Sequence, residues 1–147
     1  MAEKYSVKLS KIIETFSLEV LYLPEHEVYV ENMAVLRPGL VFTGFYGHYD
    51  NTRIQIIGLA EHEYLAEQPD DIEEMRFRDF MATKPVAVVI TTGQELNRGA
   101  LEGARENEVP LLRTELHSNE FTTQLTAWLQ VQLAPRITRH GVLVEIY

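Results

Sequence analysis

Chemically able side chains are densest between Arg37 and Arg53. Two arginines bracket three glycines (Gly39, Gly44, Gly47) and the aromatic residues Phe42, Phe45, Tyr46 and Tyr49, with His48 and Asp50 among them. A guanidinium presents a planar fork of donors that matches a phosphate or a carboxylate. Glycine lets a ligand or another segment approach the backbone closely. Such a loop could hold an anion, and the same arginines could equally fasten it by bonding to backbone carbonyls. Arg37, Tyr46, His48, Tyr49 and Arg53 are therefore candidate ligand or interdomain contacts, and none is a candidate catalytic residue.

Other reaction classes lack their residues. There is no G-x-x-x-x-G-K-[ST] to cradle a triphosphate, no G-x-G-x-x-G after a strand and no G-x-S-x-G elbow. The four serines (Ser6, Ser10, Ser17, Ser118) sit in no strand-to-helix glycine turn. Without a cysteine there is no disulfide, thiolate metal site or thiol nucleophile. The five histidines are scattered, and His62, between Glu61 and Glu63, has no second histidine four residues on. The carboxylates are so dense, as at Asp70/Asp71 and Glu73/Glu74, that chance pairing is expected. Neither a metal nor a cofactor is expected in this chain.

The formal charge is −9, from 22 acids against 13 Lys and Arg. Such a chain mostly repels phosphate backbones, so nucleic acid is not an expected partner. Six of the nine excess negative charges lie between Glu61 and Asp79, where eight acids face only Arg76 and Arg78. That stretch reads as a solvated helical face, with a dock for a basic partner as the rival. Met1–Tyr5 lead into no apolar h-region, and no run approaches the eighteen or so apolar residues of a membrane helix. A cytoplasmic protein with no membrane contact is expected.

A chain of 147 residues, 46% hydrophobic, suffices for one domain with a real core. Leu9, Ile12, Ile13 and Phe16 recur at helical spacing and predict a helix over 8–16. Leu18–Leu21, residues 27–31 and Arg53–Gly58 read as strands. The segment from Phe42 to Tyr49 reads as a packed loop or short helix. Helical patterns follow over 60–67 and 71–81, with Asp70 and Glu73 at capping-box spacing. Pro85–Thr91 is the clearest strand, and its unbroken apolar run suits burial on both faces.

Thr92 and Glu95 repeat the capping spacing and predict a helix ending at Asn107 or Glu108. Leu111–Leu112 form a short strand. Phe121, Leu125, Trp128, Leu129 and Leu133 then line a long helix that Pro135 stops, with Trp128 expected to anchor it on the sheet. Arg136, Arg139 and His140 read as exposed or hinge charge near that helix end. Gly141–Tyr147 is strand-like to the last residue, which suggests a chain cut before a further domain, with a strand paired at the sheet edge as the rival. Residues 1–134 are thus expected to form one α/β domain, with 135–147 as a connector. Strand–helix alternation predicts three layers, a mainly parallel or mixed sheet with helices on both faces.

Several motifs together carry a specific likeness. They are Arg37-Pro38-Gly39-Leu40, Gly44-Phe45-Tyr46 with Tyr49, Arg53–Gly58 with Glu61 and Tyr64-Leu65, Pro110–Thr114 with Phe121, and Leu133-Ala134-Pro135 followed by His140–Tyr147. With these the sequence resembles the N-terminal domain of the HPr(Ser) kinase/phosphorylase family from about residue 7 onward. In that family the last segment leads into a Walker A loop, so the resemblance implies a two-domain enzyme whose catalytic residues all lie outside this chain.

The family phosphorylates a serine of the phosphocarrier protein HPr with ATP or pyrophosphate and Mg2+, removes that phosphate again, and serves carbon catabolite control. The resemblance implies a kinase domain and HPr as partners, a homo-oligomer when full length, and a fold like the first domain of UDP-muramoyl-tripeptide ligases. A stand-alone small-ligand sensor or interaction module of the same fold is the alternative.

Overall fold

The computed structural model describes residues 5–134. The expected strand 141–147, the connector and the charges at Arg136, Arg139 and His140 lie outside them.

The central strands of the sheet are buried on both faces. β2 (Glu19–Tyr22), β4 (Val35–Leu36), β5 (Ile54–Ile57), β6 (Val88–Ile90) and β7 (Leu111–Arg113) pair in the order β2-β7-β6-β5-β4. β4 through β7 are mutually parallel, and β2 closes the sheet antiparallel against β7, so the sheet is mixed. β1 (Val7–Lys8) and β3 (Tyr29–Val30) form a separate two-stranded ribbon.

Because β4, β5, β6 and β7 step across the sheet in sequence order, right-handed crossovers must all fall on one face. They do. A 3-10 turn at Val41–Thr43, α2 (Leu59–Ala66), α3 (Asp70–Ala82) and α4 (Ala100–Asn107) cover that face. Phe42, Leu65, Phe77, Phe80 and Ala104 pack there on Ile57, Val88, Ile90 and Leu111. α1 (Leu9–Phe16) and α5 (Ser118–Leu133) cover the other face. There Ile12, Phe121, Leu125 and Leu129 meet Ile54, Ile56, Val89 and Leu112. This confirms an α/β fold with helices on both faces.

Four expectations are corrected. The helix expected from Thr92 starts only at Ala100, because Thr92, Gly93 and Gly99 take φ of 62°, 58° and 84°, in the left-handed region that a right-handed helix excludes. The capping signal counts one local bond, whereas long-range hydrogen bonds hold this segment. Asp70 is not the cap of α3: the helix begins on it after Pro69, with no side-chain cap bond. Trp128 is only half-buried and meets Phe16 edge-on at 5.8 Å, so Phe121, Leu125 and Leu129 are the anchors. The acidic stretch is not uniformly solvated, since Glu61 and Glu73 are each 6% exposed.

Candidate functional site

Parallel strands deliver their following residues to one edge of the sheet, the usual place for ligands in α/β domains. β4 runs into Arg37, β5 into Gly58, β6 into Thr91 and β7 into Thr114. At this edge Arg37 Nε and Nη2 donate to Glu61 Oε1 and Oε2 at 2.7 and 2.8 Å. Glu61 sits in the first turn of α2 and also accepts from the Gly58 backbone N–H at 3.3 Å, the reaching-back half of a capping box.

Burial works to raise the Glu61 pKa. The hydrogen bonds and charge of Arg37, with the backbone donors, outweigh it and hold the carboxyl below its ordinary 4.5. The Glu61 hydrogen bond in turn raises Arg37 above its usual range.

Gly58 is required by close approach rather than by an unusual backbone angle, since its φ is −96°. A Cβ there would lie 2.5 Å from Arg37 Nη2 and 2.5 Å from Ser118 Oγ. Thr91 Oγ1 donates to Ile57 O at 3.0 Å, so the Ser118 hydroxyl supplies the proton in the 2.6 Å bond between the two. These bonds tie the start of α5 to the ends of β5 and β6.

Of the candidate residues, Arg37, His48 and Tyr49 line one half-open pocket of ≈ 100 Å³, together with Leu36, Pro38, Leu40, Val41 and Phe45. Tyr46 does not line it but packs edge-on against Tyr49 at 5.6 Å. Thr83 Oγ1 donates to Phe80 O at 2.6 Å, so Tyr49 Oη donates to Thr83 Oγ1 at 2.6 Å, and burial pushes the Tyr49 hydroxyl up to about 12.

Arg53 stands elsewhere. It precedes β5 whereas Arg37 follows β4, so the parallel pairing leaves them at opposite ends of the strand pair. Arg53 lies 3.4 Å from Asp50 in the turn ahead of β5. Among the described residues no three His, Asp or Glu side chains converge on a metal position. Nor is any helix there long and apolar enough to cross a membrane.

Sequence reasoning missed Gly58, Glu61, Thr91 and Ser118 at this edge. Only Glu61 left a signal, three residues beyond the glycine that ends a strand.

The family model described as HPr Serine kinase N terminus matches residues 7–129. The chain belongs to this family. It is 35% identical over 141 residues to the HPr kinase/phosphorylase of Clostridium perfringens (strain 13 / Type A), covering 96% of this chain and 46% of that protein. It is 37% identical over 146 residues to the HPr kinase/phosphorylase of Lachnoclostridium phytofermentans, covering 97% and 47%. With the HPr kinase/phosphorylase of Caldanaerobacter subterraneus subsp. tengcongensis the identity is 34% over 146 residues, or 99% and 47%. The chain thus spans just under half the length of these relatives. The matching family model describes the N terminus of HPr serine kinases.

Proposed function

We propose that this chain is the regulatory or assembly domain of a bifunctional HPr kinase/phosphorylase. In this reading it accompanies a catalytic domain that phosphorylates and dephosphorylates a serine of HPr in carbon catabolite regulation. That neighbour would use Mg2+ with ATP or pyrophosphate, act in the cytoplasm and assemble as a homo-oligomer. One observation carries the reading: 96% to 99% of the chain aligns with less than half of proteins named HPr kinase/phosphorylase. The two-faced α/β sheet is compatible with the UDP-muramoyl-tripeptide ligase-like fold that the resemblance implies.

The native gene tests it. A glycine-rich phosphate loop in frame shortly beyond codon 147 supports the reading, and a stop codon directly after Tyr147 overturns it.

The cavity beside Arg37, His48 and Tyr49 favours a second reading, a small-ligand sensor. A nucleotide sugar or phosphometabolite bound there raises the melting temperature by mass action. The shift disappears in an R37A variant but survives in R53A, whose arginine stands at the other end of the strand pair, and a flat response across such ligands leaves only the packing role.

A further inference from the structure

Among the described residues nothing covers the outer side of α5. Thr123, Gln124, Ala127, Gln130 and Val131 are exposed there, Val131 by 61%. The other four stand three and four residues before and after Ala127, and on a helix these positions form one patch with the small residue at its centre. An alanine there lets a second helix approach closely, and packed helix axes lie about 8–10 Å apart.

The patch is also uncharged. From Phe121 to Ala134 the chain has no Asp, Glu, Lys, Arg or His, although 24% of all its residues are charged. The helices of the opposite face differ: α2, α3 and α4 hold nine acids against three arginines. α1 and α5 together hold only Glu14 and Glu120 against Lys11. The negative charge of the described helices thus lies almost wholly on one side of the sheet. Two copies of this acidic chain repel each other least across the α1 and α5 side. Depletion of charge is also what marks the core of a protein interface.

The patch is complementary to itself. In an antiparallel pair centred on Ala127, Thr123 stands opposite the partner's Gln130, and Gln124 opposite the partner's Val131. The Thr123 hydroxyl and the Gln130 amide each donate and accept, so they satisfy one another. The Gln124 stem lies on the methyls of Val131. Glu120, the only charged residue of α5, sits two turns from the centre. The two Glu120 carboxylates therefore fall at opposite ends of the pair, about 21 Å apart along it and beyond a Debye length.

We propose that this chain forms a two-fold dimer through the outer face of α5, with Ala127 meeting Ala127 at the axis. A helix of 16 residues is about 24 Å long and about 10 Å across, so the contact falls below the ~800 Å² per partner of a standard interface. The dimer is accordingly weak, with half-association at about 10–100 μM. It gives a surface to the assembly role proposed above, yet it does not rest on the kinase assignment, because the chain alone dimerises.

Sedimentation velocity of the 147-residue chain from about 1 μM to about 1 mM tests it. A concentration-dependent passage from monomer to dimer is expected. The emission of Trp128, the chain's only tryptophan and a neighbour of the patch on α5, moves with it.

A127E sets two carboxylates face to face and leaves a monomer, whereas A66E, the same change on the exposed side of α2, leaves the dimer in place. T123E/Q130E is also monomeric. T123E/Q130K dimerises at least as tightly as the parent, because each new carboxylate then faces the partner's new ammonium. All these positions are exposed, and unchanged melting of the variants shows that only association is affected. A dimer that A127E leaves intact, or a T123E/Q130K chain as monomeric as T123E/Q130E, overturns the proposal. So does a monomer at every concentration, which gives the α5 face to a different partner.

Discussion

Arg37 and Glu61 meet through two parallel hydrogen bonds of 2.7 and 2.8 Å, joining the end of β4 to the first turn of α2. The Glu61 side chain is 5% exposed and that of Arg37 41%. The carboxylate is the buried partner and Arg37 is its half-open lid. R37A strands that carboxylate with only backbone donors. Solvent beside the exposed arginine screens the pair, so the expected loss is about 1–3 kcal/mol rather than the full cost of a buried ion pair. Urea unfolding of R37A against the parent chain measures it.

The same pair sets a pH dependence. Glu61 titrates below 4.5 in the folded chain because Arg37 and the backbone donors outweigh its burial. A depressed folded pKa gives stability that is whole above the unfolded value and is lost as pH falls through the folded one. Urea midpoints taken downward from about pH 6 should therefore fall more steeply below about pH 4.5 for the parent than for R37A. Parallel curves contradict this role for Glu61.

Gly58→Ala tests the close approach at the strand end. The new methyl would stand 2.5 Å from both Arg37 Nη2 and Ser118 Oγ, so both side chains must shift. Overpacking of this kind costs about 1–3 kcal/mol. A G58A melting curve that overlays the parent's would show that the edge is looser than described.

The two large aromatics of α5 should separate in an alanine scan. Phe121 has no exposed surface, and F121A is expected to cost about 3–5 kcal/mol. Trp128 is half-buried at the rim beside Phe16, and W128A should cost about 2 kcal/mol. The order of the two unfolding free energies is the readout.

This contrast marks what periodicity can convey. The unbroken run at Pro85–Thr91 predicted a doubly covered strand, and β6 is buried on both faces between two helical layers. The helical spacing of Phe121, Leu125 and Leu129 placed α5. That spacing ranks no residue within the stripe, so Trp128 looked central from its size alone. β4 went unread because two residues carry no period.

The sheet edge was less legible, since its bonds join residues far apart in the chain. Glu61 and Glu73 counted among the acids of a solvated face, yet one is paired with Arg37 and the other accepts from Asn97. Only Gly58, three residues before Glu61, sets that acid apart from Glu63, and no local bond marks Glu73 off from Glu74. Arg37 and Arg53 bracketed one suggestive loop, and the parallel pairing of β4 with β5 sets them at opposite ends of that strand pair. Thr92 and Glu95 had the right spacing for a cap, but backbone bonds from Thr92 to Leu116 O and from Gly93 to Thr114 O hold the chain in a turn instead.

Phosphate transfer to HPr, followed with labelled ATP and Mg2+, tests the central claim most directly. It compares three proteins: this chain, a family catalytic domain, and the two joined. The account predicts no transfer by this chain above a mock-purified control, because it has no loop to hold the β- and γ-phosphates. It also predicts that joining the chain to the catalytic domain changes that domain's rate, its balance of kinase and phosphorylase activity, or its assembly. Turnover by the chain alone, or a joined protein identical to the catalytic domain in all three respects, contradicts it.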